Sequence, residues 1–266
     1  SKKDVHSYKA SIDQPLWQRY AVKTNVGNDT ARVVIIIDDM GLSRSMTKRI
    51  AKLQGPMDLA FLPYADNLQA QVDMIRKAGH EAMIHMPMEP MNGQLDMGPI
   101  ALKSSMKPDV LKAYLELGLS KASGYVGINN HMGSRLTQDQ AAMDNVMGTL
   151  KNHGLLFVDS MTIHTSVAAK TAAANEVPYA IRDVFLDHVP TAEGVAASLK
   201  RLEDMALQNG LAIAIGHPKS VTIDALEAWL PTLKDKGISL VPVSQIVHKP
   251  ARPLSAHAQS HLQQPQ

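Results

Sequence analysis

The stretch Val33-Val34-Ile35-Ile36-Ile37-Asp38-Asp39 carries the strongest fold signal in the chain. Five consecutive apolar residues indicate a strand buried on both faces, as in parallel sheets covered by helices. Neighbouring strand residues point to opposite faces, so a strand that continued would place one carboxylate unpaired in an apolar layer. We therefore predict that the strand ends at Asp38-Asp39, with both carboxylates turned into the rim formed by the carboxyl ends of the strands.

Similar apolar runs alternate with segments of helical period along the chain. The predicted strands are Val33–Ile37, Met57–Phe61, Glu81–His85, Val126–Asn130, Leu155–Val158, Tyr179–Ile181, Leu211–Ile215 and Ile238–Pro242. The predicted helices are roughly Arg44–Leu53, Asn67–Ala78, Pro108–Lys121, Gln138–His153, Val167–Asn175, Ala192–Asn209 and Ile223–Lys236. Repeated strand–helix units of this kind imply an α/β fold, either a doubly wound sheet or a barrel.

Polar segments flank this predicted domain of residues 31–248. Residues 1–30 are aperiodic, and we expect an arm or linker in which Trp17 docks locally. Residues 249–266 are rich in Pro, Ala, His, Ser and Gln, and we expect a disordered tail. We expect no metal-binding role for His257 and His261, which lie in that tail.

Composition excludes several classes of function. The net charge of +2 gives no support for nucleic-acid binding. No apolar run approaches the roughly 20 residues that span a bilayer. The absence of cysteine excludes a Cys-ligated zinc site and a thiol nucleophile. Aromatic residues make up only 4% of the chain, which disfavours a pure carbohydrate-binding module because such modules stack sugars on flat rings.

Polar side chains follow nearly every predicted strand. They are Asp38 and Asp39, then His85 and Glu89, then Asn129, Asn130 and His131, then Asp159, then Asp183 and Asp187, and finally His217. Active sites of barrels and open α/β sheets are built at the carboxyl ends of the strands. The pattern therefore predicts one site at that rim.

The pair Asp38-Asp39 has two interpretations. Two carboxylates so close together raise the pKa of one of them unless a cation or a difference in role separates them. The functional interpretation is one metal ligand and one general base, and His85 and His217 favour it. In the alternative, Asp39 caps the helix that begins near Arg44, and Asp38 is a surface acid.

The remaining rim residues carry their own alternatives. Pro87 precedes Glu89 and predicts a loop there, in which Glu89 either binds a metal or hydrogen-bonds the loop. The segment Asn129–Ser134 contains side chains that orient ligands or bind substrate amides, or it is a turn built from Asn and Gly. Gly216 and Pro218 flank His217, for which we favour the role of general acid over that of metal ligand.

These residues resemble those of the polysaccharide deacetylases of the NodB-homology type, and most closely their divergent branch, from about Arg32 to Lys249. The blocks typical of that branch occur here as Asn129–Ser134, Arg182–Asp187 and Gly216–Pro218. The resemblance implies a distorted (β/α)7-type barrel with parallel strands. It also implies a hydrolase that removes N- or O-acetyl groups from a glycan with a divalent metal, commonly zinc.

The resemblance also implies roles for individual residues. Asp38 matches the general base, Asp39 a metal ligand, His85 the first ligand histidine and His217 the catalytic histidine. Glu89 stands where the family has its second ligand histidine, so the third ligand is either Glu89 or His131, and we prefer His131. Either choice leaves an open position for water. We expect a further set to orient the ligands or the substrate: Asn129, Asn130, Ser134, Asp159, Asp183 and Asp187.

The expected function is metal-dependent removal of acetyl groups from a cell-envelope polysaccharide or a peptidoglycan-like substrate. A rival hypothesis is a degenerate, non-catalytic scaffold or glycan-sensing partner in envelope maintenance, with no partner protein specified by the sequence. A third is a metal hydrolase that acts on another amide, since fold does not fix substrate. The resemblance favours a periplasmic or secreted protein, and the absent initiator Met is consistent with a removed leader; a cytoplasmic protein is the alternative.

Overall fold

The computed structural model describes residues 14–26 and 30–249. Strands and helices alternate along the chain, as the apolar runs predict. The strands are β1 (Ala31–Met40), β2 (Asp58–Phe61), β3 (Glu81–Met88), β4 (Gly127–Met132), β5 (Leu156–Asp159), β6 (Tyr179–Ile181), β7 (Val184–Phe185), β8 (Leu211–Gly216) and β9 (Ile238–Leu240). The helices are α1 (Leu16–Arg19), α2 (Arg44–Ile50), α3 (Leu68–Lys77), α4 (Pro108–Leu119), α5 (Gln140–His153), α6 (Ala168–Ala174), α7 (Ala192–Asn209) and α8 (Ser220–Trp229). None of the helices in these two ranges is both long and apolar enough to cross a membrane.

The strands form one curled sheet in the order β6-β5-β4-β3-β2-β1-β8-β7, with β9 beside the start of β1. The named strands pair in parallel throughout the described chain. The helices connect and cover the strands. This arrangement confirms the predicted α/β fold and the distorted (β/α) barrel.

Both faces of β1 are buried, as its unbroken apolar run predicts. Ile35 and Ile37 belong to the larger apolar cluster, which packs the sheet against the helices. Val34 and Ile36 point the other way into a smaller cluster. All four side chains are fully buried. The strand therefore lies between two apolar layers and can carry polar groups only at its end.

The prediction that β1 ends at Asp38-Asp39 is wrong by one residue, although both carboxylates do reach the rim. The strand continues to Met40, and its register with β2 shifts between Ile37 and Met40. Asp39 has φ of +53°, in the left-handed region. Such a bulge re-aims side chains without ending the pairing. The alternative role of Asp39 as a helix cap is also wrong, because the Ser43 hydroxyl accepts the capping hydrogen bond from Met46 N–H.

The predicted loop around Pro87 is likewise part of a strand. β3 runs through Pro87 to Met88. Proline is tolerated there because β2, the neighbour on one side, has already ended: its last residue, Phe61, pairs with Ile84. The Pro87 carbonyl instead accepts a hydrogen bond from Leu102 N–H at 2.9 Å. Glu89 thus follows directly on an extended strand.

Residues 14–26 pack against the amino end of the barrel. Trp17 is 7% exposed, and its backbone N–H donates to Gly154 O at 2.9 Å. Farther along, Val22 N–H donates to the Glu81 carboxylate at 2.7 Å. The docking of this segment therefore extends beyond Trp17. Residues 1–13, 27–29 and 250–266, which include most of the tail with His257 and His261, lie outside the described residues.

A buried pair of carboxyl groups occupies the amino end of the sheet. Asp58 and Glu81 pair in register on β2 and β3, and both are fully buried. Glu81 accepts hydrogen bonds from Val22 and Ser244, and Asp58 accepts one from Val243 N–H at 3.0 Å. Burial raises the pKa of Asp58, and the neighbouring Glu81 raises it further. Burial also raises the pKa of Glu81, although its hydrogen bonds oppose that shift.

This pair predicts a pH-dependent stability. A carboxyl group whose pKa is raised on folding stabilises the fold most below its unfolded pKa of about 4, and this contribution is lost as pH rises through the folded pKa. Each unit of raised pKa corresponds to about 1.4 kcal/mol. In urea unfolding at pH 5 and pH 8, the free energy of unfolding should fall less for Glu81→Gln than for the wild type. The exposed Glu193→Gln should show the wild-type fall; equal falls in Glu81→Gln and wild type would contradict the prediction.

Candidate active site

The carboxyl ends of neighbouring strands bring Asp38, Asp39, His85, His131 and His217 together. The strand register explains the arrangement. Gly216 pairs with Ile37, so the residues that follow them, His217 and Asp38, lie side by side. His85 on β3 pairs with Asn129 on β4, two residues before His131. Five of the acids and histidines predicted at this rim therefore form one cluster.

Three potential ligand atoms form a nearly equilateral triangle. Asp39 Oδ1 lies 3.3 Å from His85 Nε2 and 3.0 Å from His131 Nδ1, and the two nitrogens are 3.1 Å apart. Nitrogen and oxygen ligands lie about 2.0–2.2 Å from a zinc ion, so ligands of one ion are about 3–3.5 Å apart. The observed separations are compatible with one shared divalent ion.

The hydrogen bonding of Asp39 also fits a cation. Its Oδ1 is buried, and no described residue gives it a hydrogen bond of normal geometry, although two imidazole nitrogens are close. Burial raises the pKa of Asp39, but His131 and His85 outweigh it and hold the pKa well below the usual range. An ionised oxygen facing two imidazole nitrogens suits a divalent metal.

Asp38 lies beside this triangle and is 3% exposed. Its Oδ2 is 3.6 Å from His85 Nε2, and its Oδ1 accepts a hydrogen bond from Asn129 Nδ2 at 2.7 Å. Burial raises the pKa of Asp38, and the favourable interaction with His85 only partly offsets that rise. A carboxylate with a raised pKa is suited to accept a proton near neutral pH.

His217 also lies close to Asp39. Its Nδ1 is 2.9 Å from Asp187 Oδ1, and its Nε2 is 3.9 Å from Asp39 Oδ2. Since a carboxylate only accepts, Nδ1 carries a proton and Nε2 faces the cluster. Burial lowers the pKa of His217, but the hydrogen bond and charge of Asp187 outweigh it and leave the pKa raised. This arrangement favours a protonated His217 that can donate a proton.

Glu89 lies apart from the ligand triangle. Its carboxylate accepts a hydrogen bond from Ser104 N–H at 2.8 Å and another from the Ser104 hydroxyl. Arg135 Nε lies 3.7 Å away from the same carboxylate. The Glu89 carbonyl also accepts hydrogen bonds from Arg135 and Leu136. Glu89 therefore joins the loops that follow β3 and β4, which favours its predicted loop role over the ligand role.

Four of the residues expected to orient ligands or substrate bind the backbone. Each accepts a hydrogen bond from an N–H group at 2.8–2.9 Å: Asn130 from Ser160, Ser134 from Met91, Asp159 from Met161 and Asp183 from Ile213. These bonds shape the rim loops, and a role in substrate binding stays a prediction. Asn129 and Asp187, in contrast, hydrogen-bond directly to residues of the cluster.

The sequence did not single out two further residues at the site. The Thr222 hydroxyl donates to Asp187 Oδ2 at 2.8 Å and so helps to hold the partner of His217. The Phe185 ring lies edge-on to His217 at 5.3 Å between centroids. Phe185 falls in the block Arg182–Asp187 and could have been found there. Thr222 carries no comparable signal, since it is one hydroxyl in the first turn of α8.

Comparisons with known proteins agree with this architecture. Residues 35–247 match the profile of the family described as divergent polysaccharide deacetylase. The uncharacterized protein YibQ of Escherichia coli K12 is 31% identical over 219 residues, which cover 82% of this chain and 68% of that one. The crystal structure of the uncharacterized protein ATU2773 from Agrobacterium tumefaciens C58 has a TM-score of 0.84 and 28% identity, covering 87% of this chain and 94% of that one.

A more distant structure shares the fold alone. It is the catalytic domain of a peptidoglycan N-acetylglucosamine deacetylase from Eubacterium rectale, with a TM-score of 0.50 and 12% identity. The match covers 88% of this chain and 98% of that domain. The family profile spans most of the chain, and a relative above 30% identity covers most of both sequences. The chain therefore belongs to the divergent polysaccharide deacetylase family.

Proposed function

We propose that the protein is a metal-dependent hydrolase that removes acetyl groups from amide or ester linkages of a cell-envelope polysaccharide. The observation that carries this proposal is the triangle of Asp39 Oδ1, His85 Nε2 and His131 Nδ1, with Asp38 and His217 beside it. Family membership supports the substrate class. That class also supports a periplasmic or secreted location, which cell fractionation would test.

Different residues of the site have different roles in the proposed reaction. A divalent ion held by Asp39, His85 and His131, with zinc our first choice, would polarise the acetyl carbonyl and acidify a water molecule. Asp38 accepts the proton of the attacking water, a role that its burial and raised pKa support. His217 donates a proton to the leaving nitrogen or oxygen, and Asp187 holds its ring in place.

Acetate release tests the proposal. The purified protein, loaded with zinc, is incubated with acetylated chito-oligosaccharides and with peptidoglycan fragments, and free acetate is measured. We expect release by the wild type, and loss of both bound zinc and release in Asp39→Ala. A wild type without bound metal, together with undiminished release by Asp39→Ala, would refute the proposal. Bound zinc without release from any acetylated glycan would favour the non-catalytic, glycan-binding alternative.

The pairing of Asp187 with His217 predicts a change in the pH profile. Asp187 raises the pKa of His217, which keeps the general acid protonated to a higher pH. In Asp187→Asn, the basic limb of the kcat profile should therefore move to lower pH. Each pKa unit lost moves the limb by one pH unit and lowers kcat about tenfold above it. A basic limb at the wild-type pH in this variant would contradict the assignment of His217 as the acid.

A further inference from the structure

The side chain of Asn129 connects Asp38, the proposed base, with His85, a proposed metal ligand. It lies on β4 opposite His85 and is fully buried. Its Nδ2 is 2.7 Å from Asp38 Oδ1 and 3.3 Å from Ser160 Oγ, and its Oδ1 is 2.8 Å from His85 Nδ1. One amide thus contacts both the proposed base and a proposed metal ligand.

The chemistry of these partners fixes the orientation of the amide. The Asp38 carboxylate, when ionised, only accepts hydrogen bonds, so the Asn129 NH2 group must face it. The amide oxygen then faces His85, and because it also only accepts, His85 Nδ1 must carry a proton. His85 Nε2 is left with its lone pair directed towards Asp39 and His131. In the opposite tautomer, an N–H group would face the ligand triangle.

The same amide distinguishes the two oxygens of Asp38. Oδ1 is occupied by the Asn129 N–H group, whereas Oδ2 lies 3.6 Å from His85 Nε2, on the side of the ligand triangle. Since Asp38 is almost completely buried, rotation of its carboxylate out of the present plane would leave the Asn129 donor unsatisfied, and a half-turn would only exchange two equivalent oxygens. Oδ2 is therefore the oxygen available to accept a proton.

We propose that Asn129 is a positioning residue that selects both the His85 nitrogen facing the metal and the Asp38 oxygen that acts as the base. This inference rests on the proposed function. It assigns Asn129 no contact with the substrate, because the amide is buried and its polar atoms are occupied by protein groups.

Two nearly isosteric variants separate the two effects. Asn129→Asp keeps an acceptor for His85 Nδ1–H but replaces the donor to Asp38 with a second carboxyl group. Asn129→Leu removes both the acceptor and the donor. Asn152→Asp and Asn152→Leu, at an exposed position of α5, are the matched controls. The measurements are the zinc Kd by chelator competition, the ¹⁵N-coupled proton signal of His85 Nδ1 in the zinc-loaded protein, and kcat for acetate release.

We expect Asn129→Leu to lose the protected His85 Nδ1–H signal and to weaken zinc binding by about 10- to 100-fold, the usual effect of losing a group that orients a ligand. Asn129→Asp should keep that signal and a zinc Kd within about threefold of wild type. Its kcat should nevertheless fall, on the order of 100-fold, because Asp38 would face, or share a proton with, another carboxyl group.

Several outcomes would overturn the inference. Wild-type zinc affinity and an unchanged His85 signal in Asn129→Leu would exclude control of the tautomer. Zinc binding weakened equally in Asn129→Asp and Asn129→Leu would exclude a role for the acceptor. Wild-type kcat in Asn129→Asp would exclude positioning of the base. If Asn129→Leu does not fold, as judged by circular dichroism, the Asn129→Asp measurements decide. A wild type that releases no acetate would refute the proposed function. The zinc and NMR measurements would still decide whether Asn129 selects the tautomer of His85.

Discussion

Asp38→Asn is expected to lower kcat for acetate release by about 10²- to 10⁴-fold, the usual contribution of a general base. The substitution preserves side-chain volume, and the new amide oxygen can still accept the hydrogen bond from Asn129. In that orientation, the NH2 group of the new amide replaces Oδ2, the oxygen proposed to accept the proton. Zinc content should stay at the wild-type level, because Asp38 lies beside the ligand triangle and outside it.

The measurement is kcat together with the zinc content of the same preparation. Asp224→Asn, a mostly exposed acid on α8, serves as the control and should retain wild-type kcat. Loss of zinc from Asp38→Asn would show that Asp38 is a ligand and contradict the proposed division of roles. A kcat within a few fold of wild type would show that another group accepts the proton.

The second large effect concerns the identity of the third ligand. His131→Ala should weaken zinc binding by more than about 100-fold. Loss of a group that only orients a ligand already weakens metal binding by about 10- to 100-fold, and loss of the ligand itself should weaken it further. Glu89→Gln should leave the zinc Kd within about threefold of wild type, because Ser104 and Arg135 already engage the Glu89 carboxylate. Chelator competition on the two purified variants measures both values.

The reverse result is informative as well. If Glu89→Gln lost zinc and His131→Ala kept it, the rim loops would have to rearrange when the metal binds.

Glu89→Gln is instead expected to lower the free energy of unfolding by about 1 kcal/mol, the usual contribution of one hydrogen bond. Urea unfolding of the zinc-free variants would separate this loss of stability from any loss of zinc affinity.

The residue pattern was sufficient to predict the α/β fold and much of its polar rim, whereas the choice of a barrel came from the family resemblance. The apolar run before Asp38 requires a strand covered on both faces, and the repeated units require parallel neighbours. His217 could be placed because Gly216 ends a similar run. These predictions depend on the period and length of apolar segments, which are local properties of the sequence.

The choice between His131 and Glu89 depends on distances that spacing alone does not give. Had the chain turned at Pro87, Glu89 could have approached His85. Because β3 stays extended through Met88, Glu89 lies four residues beyond His85, or about 13 Å along the strand. His131 lies only two residues beyond the register partner of His85. The extent of one strand thus decides which side chain can join the triangle.

The two-sided role of Asn129 was also beyond the reach of sequence patterns. In the sequence, an asparagine buried in a site looks the same as an asparagine that forms a turn, and only its hydrogen-bond partners distinguish the two. Here the partners come from β1, β3 and the end of β5, which are far apart in sequence. The short strand β7 was missed for a simpler reason: two residues are too few to show a period.

The left-handed backbone at Asp39 limits which amino acids evolution or design could place there. Among residues other than glycine, asparagine and aspartate occupy that conformation most readily, and β-branched residues are strongly disfavoured. Of the three residues that the backbone accepts easily, only aspartate supplies an anionic oxygen. Backbone conformation and metal chemistry would therefore select the same residue, and libraries randomised at this position should return aspartate when screened for zinc binding.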